Sequence, residues 1–367
     1  MNKRNINLDI IRCIAVLSVL SVHFFLYNGF YDEVMIGKKM YVASIMRQCF
    51  MVCVPLFIML TGYLMNKKQL TFTYFKGISK VLIIYTLCTV CICVYRLLYL
   101  GETISLLDVI FNITSYQQYS WYIEMYIGLY LLIPFLNILY FGLKGKKEKN
   151  ILLIILFILT TLPSILNTFN NAILPVADNQ IVPEWWNGIY PLLYYYIGVY
   201  LNEYGSDFKL SLRMNFFVMV LAIVLFGTYA YWRSYGATFQ WGQWCAYNGF
   251  TNVIDAFLVF MFFLRIKVDN CKIVIRKIIT KISEVSLSIY LLSWIFDNYA
   301  YSILNSAVQH TRNRINYYFV TVPFVFLCSF VLACVIDWIY KGGKKKIQKL
   351  LGFTKSHFGG TVQDKVI

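Results

Sequence analysis

Apolar residues in this chain come in runs of about twenty, parted by short polar stretches, and inside the runs apolar and polar positions do not alternate. A run of that length, coiled at about 1.5 Å per residue, matches the hydrocarbon thickness of a bilayer. Backbone in lipid must satisfy its own hydrogen bonds, and without the two-residue alternation of barrel strands the runs are predicted as helices. Ten spans follow: about Leu8 to Phe30, Ser44 to Met65, Val81 to Leu100, Trp121 to Leu143, Ile151 to Leu166, Ile189 to Asn202, Met214 to Trp232, Ala246 to Leu264, Ser283 to Leu304 and Tyr317 to Tyr340. The sixth is the shortest. The predicted fold is all-α, a polytopic membrane helix bundle over residues 1–340 with a basic tail, 341–367.

Composition agrees with that pattern. The 367 residues are 59% hydrophobic and 14% charged, against about 25% charged in a soluble domain. No small-residue cleavage site follows the first apolar core, so it reads as a retained anchor rather than a signal peptide. The formal charge of +16 could point to nucleic acid, but its distribution points to membrane orientation instead. With ten spans, 25 of the 33 Lys and Arg fall on one side, including Lys67, Lys68, Lys76, Lys80, the Lys144 to Lys149 cluster and everything from Lys341 onward. Six fall on the other side: Lys38, Lys39, Arg47, Arg233, Arg312 and Arg314. The positive-inside rule then puts both termini in the cytoplasm of a multi-pass cell-membrane protein. Cys13, Cys88, Cys91, Cys93, Cys328 and Cys334 lie inside spans as small hydrophobes. Cys91-x-Cys93 sets its thiols on different helix faces and the chain has three His, so no metal site is expected.

Against this apolar background the ionisable residues within spans are conspicuous. Arg12 and His23 are eleven residues apart in the first span, hence on one helix face and about 16 Å apart along the axis. Asp9 stands one turn before Arg12. Ionisable groups at membrane depth are costly and point to function, although His23 could serve only an interhelical hydrogen bond and Arg12 could be a snorkelling rim residue. Helix direction places Glu124 and Asp297 in the same outer half of the bilayer as His23, and Asp255 nearer the middle. Imidazole titrates near neutrality and needs a partner for its second nitrogen, so His23 with one of these carboxylates would suit removal of a proton from a hydroxyl. Tyr116, Tyr119, Trp121 and Tyr122, then Trp185 and Trp186, then Trp241 and Trp244, gather at outward loops, as sugar-stacking faces or as an interfacial belt. The loop from Asn167 to Asn187, with Pro175, Asp178 and Pro183 and no Lys or Arg, is a candidate lid.

The stretch Leu8-Asp9-Ile-Ile-Arg12-Cys-Ile-Ala15, with His23 following Arg12 after ten intervening residues, resembles the opening of the type-three membrane acyltransferases. Similar stretches follow in order: Val54-Pro55-Leu-Phe57-Ile-Met-Leu-Thr61-Gly62-Tyr63-Leu64, a basic stretch leading to Tyr85, Trp121-Tyr122 with Tyr130-Leu-Leu-Ile-Pro134, Tyr196-Ile-Gly198, and Ser288-Ile-Tyr290-Leu-Leu. The resemblance implies O-acylation of an extracytoplasmic glycan, a cell-surface polysaccharide or a lipid-linked glycan, by an acyl-CoA donor, acetyl-CoA foremost. It implies that His23 is the essential catalytic residue and that Arg12 supports it or the donor.

The chain also departs from that pattern. Lys76 and Lys80 stand where relatives commonly carry an Arg pair, Gly77 and Ile84 where an Arg and a Pro would stand, and Ser293 where many have a second His. Lysines attract phosphate as point charges but lack the guanidinium fork. The expected site is therefore His23 and Arg12 with Glu124 or Asp297 for catalysis, and Arg12, Lys76 and Lys80 for the donor. A transporter or flippase with a His23 and Asp255 proton relay is the alternative class, disfavoured by the lack of an inverted repeat.

Overall fold

The structure, a computed structural model, describes residues 4–115, 120–170, 178–268 and 272–357, with side chains as far as Lys345 in the last helix. Its helices are α1 (Ile6–Tyr27), α2 (Lys38–Phe50), α3 (Cys53–Met65), α4 (Phe72–Lys76), α5 (Ser79–Leu98), α6 (Leu106–Thr114), α7 (Trp121–Gly142), α8 (Gly145–Thr160), α9 (Leu162–Leu166), α10 (Tyr190–Tyr204), α11 (Leu212–Arg233), α12 (Phe250–Arg265), α13 (Ile273–Ala307), α14 (Thr311–Arg314) and α15 (Tyr318–His357). Tyr116, Tyr119 and Pro175 lie outside the described residues, as does the tail beyond His357.

Eight helical stretches among the described residues are long and apolar enough to cross a membrane: α1, α2 with α3, α4 with α5, α7, α11, Gln243–Arg265, α13 and Thr311–Lys345. The expected fifth and sixth spans are helices that fall short of this. α8 stops after 16 residues because Pro163, in the first turn of α9, has no N–H to continue the ladder. α10 has 15 residues. Both nevertheless run lengthwise in the bundle. Lys149 early in α8 meets Glu203 late in α10 at 2.7 Å, whereas at the far end Asn248 donates to the Thr160 carbonyl and Arg233, closing α11, donates to the carbonyls of Thr168 and Asn170. The two are consecutive and opposed, so counting both or neither leaves the direction of every other helix unchanged.

α1 is the axis of the bundle, packed by α2, α3, α12, α13 and α15. Ile11, Ala15, Val16, Leu20, Phe24 and Phe25 are buried on it. Between helices in lipid, dispersion and close backbone approach replace the hydrophobic drive. The tightest approach is α3 against α10: a Cβ on Gly62 would sit 2.0 Å from the Tyr195 carbonyl oxygen, and one on Gly198 would sit 2.0 Å from that of Met59. Two motif glycines are thus accounted for by one crossing.

α7 contains Pro134, which cannot donate to the carbonyl of Tyr130 one turn back. The Tyr74 hydroxyl takes that acceptor at 2.5 Å, and the Tyr130 hydroxyl donates to the Tyr74 carbonyl at 2.7 Å while the two rings stack at 4.5 Å. This clasp fixes α4, and with it the lysine-bearing segment, to α7. It also explains Gly77, where any Cβ would lie 2.5 Å from the Tyr130 hydroxyl.

Candidate active site

α1 and α13 run in the same direction and are joined by two polar rungs. At one end the Arg12 Nη1 donates to Ser283 Oγ at 2.7 Å; at the other His23 Nδ1 lies 2.7 Å from Asp297 Oδ2. Asp9 organises the first rung. It accepts from Arg4 at 2.7 and 2.9 Å and from Ser283 Oγ at 2.6 Å, and Arg12 stands 3.6 Å away. A second bond from Arg4 reaches Glu284 at 2.7 Å. Asn5 caps α1 by accepting from the Asn7 N–H, and Asn7 donates to the carbonyls of Phe263, Leu264 and Ile266, so the start of α1 is held against the end of α12.

The second rung is drier. The Asp297 side chain is 1% exposed and that of His23 16%, and the imidazole packs edge-on against Tyr27 at 5.8 Å. A carboxylate at Nδ1 holds the proton there and leaves the Nε2 lone pair to act as base. Ser293, the residue in place of the second His, donates to the Tyr290 carbonyl and lies beside the Asp297 carboxylate one turn earlier on α13.

One cavity of about 500 Å³ connects the two rungs. Arg4, Arg12, Lys80, Ser283 and Glu284 line it at one end, His23, Trp121 and Tyr247 at the other. Its walls between are aromatic and apolar: Tyr122 packs on Phe57, Tyr126 and Tyr290 at 5.8 to 6.2 Å, and Trp121 stacks on Tyr247 at 5.8 Å. Such a passage offers cationic donors at one end, and flat rings with an imidazole base at the other.

Not every expected residue reaches it. Glu124 is exposed on α7 and outside the cavity, so the structure does not bring it to His23. Lys76 is likewise exposed and off the cavity, its Nζ 4.6 Å over the Phe72 ring, whereas Lys80 lines the wall. Asp255 is buried elsewhere and accepts from Gln48 at 2.8 Å. The aromatic groups separate too: Trp121 and Tyr122 line the cavity, Trp185 and Trp186 pair outside it, and Trp244 is buried. Trp241 lies over Arg47, which charge counting placed among the hydrated cations of the outer side and which is buried in α2 among Tyr31, Phe239 and Trp241. In the Asn167 to Asn187 loop, Asn167 accepts from the Asn179 N–H at 2.9 Å.

Ser283, Glu284, Arg4 and Tyr247 were missed from sequence. Nothing local distinguishes Arg4, Ser283, Glu284 or Tyr247 from other polar residues near helix ends. Tyr290 was visible as part of a motif without a role.

A membrane bundle with an imidazole and carboxylate pair at one end of a passage and clustered guanidinium groups at the other has the parts of a group-transfer enzyme. The chain belongs to the acyltransferase 3 family: the model of that family's acyltransferase domain matches residues 5–337, nearly the whole chain. It is a multi-pass membrane acyltransferase, and the transporter alternative is set aside. No curated protein and no solved structure matches it.

Proposed function

We propose that the protein moves an acyl group, acetyl foremost, from cytoplasmic acyl-CoA to a hydroxyl of a cell-surface or exported polysaccharide, and that it does so in the cell membrane. The observation carrying this reading is one cavity that reaches from Arg4, Arg12 and Lys80 to His23, whose imidazole Asp297 holds from behind the wall. The positive-inside rule makes the Arg12 end cytoplasmic. Donor phosphates then meet Arg4, Arg12 and Lys80, and the pantetheine arm extends along the apolar wall toward His23. Lys76, off the cavity, adds only to the field.

In this reaction His23 Nε2 takes the proton of the acceptor hydroxyl as its oxygen attacks the thioester carbonyl. The new C–O bond forms, the C–S bond breaks, and the CoA sulfur leaves with the proton that His23 returns. Asp297 stabilises the imidazolium between these steps without exchanging the proton itself. Trp121 and Tyr247 offer rings to the apolar face of a sugar at the acceptor mouth. A covalent acyl-His intermediate would use the same nitrogen as a nucleophile instead.

Membranes holding His23→Ala, given labelled acetyl-CoA and envelope polysaccharide, are expected to transfer acetate about a hundred- to ten-thousandfold more slowly than the unaltered protein. Undiminished O-acetyl content in cells carrying the variant would overturn the assignment. Acetate retained on denatured protein, and lost in the variant, would replace the general-base route by the acyl-His one.

A further inference from the structure

A second concavity lies on α15, shares no lining residue with the first and is independent of the acyl-transfer reading. It is a groove of about 360 Å³ lined by Phe330, Val331, Cys334, Val335 and Trp338. Val331 is 63% exposed and Trp338 76%, so the groove opens outward instead of filling against another described helix. At about 100° per residue these five positions form one stripe, and the same stripe continues past Trp338 to Lys341 and Lys345.

The polar end of that stripe is built. Asp337 Oδ2 accepts from Lys341 at 2.8 Å and from Lys281 of α13 at 2.6 Å. One carboxylate holding two ammonium groups leaves a positive charge uncompensated, and Lys345, exposed, adds another. Apolar surface thus gives way to a fixed cationic cluster at one end only, with an exposed indole at the transition, where interfacial tryptophans reside in membranes.

We propose that this face binds an anionic phospholipid. One acyl chain lies along Phe330, Val331, Cys334, Val335 and Trp338, and the headgroup phosphate sits among Lys281, Lys341 and Lys345. Charge decides the occupant. A second copy of the chain, inserted in the same membrane in the same direction, would bring like-charged lysine clusters together across a two-fold contact. An anionic headgroup instead completes the cluster, and zwitterionic lipid gains only the groove.

The test is quenching of Trp338 in bilayers that contain brominated phosphatidylglycerol or brominated phosphatidylcholine at equal proportion. The Trp338 signal is obtained by difference from Trp338→Phe. Brominated phosphatidylglycerol is expected to associate about thirtyfold more strongly, the scale set by two net lysine charges at a membrane surface. In Lys341→Gln/Lys345→Gln the two lipids are expected to quench nearly alike. Equal quenching in the unaltered protein overturns the proposal, and so does weak quenching by both lipids, which would mean that protein covers the groove. Both results are read without any variant in the lysines, so a folding defect there leaves the proposal exposed to refutation.

Discussion

The two rungs between α1 and α13 use similar chemistry to opposite ends. Around Arg12 the charges are numerous, share partners and reach solvent: Asp9 is approached by Arg4, Ser283 and Arg12, and Arg4, 47% exposed at its side chain, also holds Glu284. Around His23 there is one bond, from one imidazole to one almost fully buried carboxylate. Exchangeable pairs in partial contact with water cost little to open, as the arrival of a multiply charged donor requires. A lone buried pair is electrostatically strong and has no substitute, as the placement of a single proton requires. Redundancy marks the binding end, and its absence marks the reacting end.

Removing the charge but not the shape at the lone pair should expose that contrast most sharply. Asp297→Asn can donate to Nδ1 and turn the imidazole to the wrong tautomer, so turnover with acetyl-CoA is expected to fall about a hundredfold with the donor KM nearly unchanged. A comparable rise in KM would mean that Asp297 shapes the cavity and not the base. At the other rung, Arg12→Lys keeps the charge and loses the planar guanidinium whose Nη1 donates to Ser283 and faces Asp9. The donor KM is expected to rise about tenfold, the worth of a charged hydrogen bond, while turnover at saturation stays within about twofold. A fall confined to turnover would move Arg12 to the reacting end. The smallest effect belongs to Glu284→Gln, which frees Arg4 from a half-exposed ion pair. The donor KM should drop about threefold, since such pairs are individually weak; a KM that rises would show Glu284 to be part of the donor's own contacts.

The contrast was half legible in the chain. A separation of eleven residues puts Arg12 and His23 on one face of one helix, and that is a local regularity which any helical reading recovers. Asp297 and Glu124 share the depth of His23; depth along a helix can be counted but rotation against a distant helix cannot. The 274 residues between His23 and Asp297 carry no trace of which face of α13 turns inward. The same holds for Ser283, 271 residues from Arg12. Arg47 went astray for a different reason: charge counting presumes that a cation near a helix end is hydrated, whereas three aromatic rings around its guanidinium provide an alternative environment. The fifth span is shorter than its apolar run because Pro163 divides α8 from α9, a break that such a run conceals.

Pro134 gives the bundle a joint whose strength comes from a missing bond. The Tyr130 carbonyl has two suitors, the amide at position 134 and the hydroxyl of Tyr74, and proline withdraws the first. An alanine at 134 would restore the helix ladder and set the two in competition, so a more regular α7 would hold α4 less firmly. With no amide at 134 to share that oxygen, the Tyr74 hydroxyl has the Tyr130 carbonyl to itself, and a gap in one helix ladder becomes the anchor of a neighbouring helix.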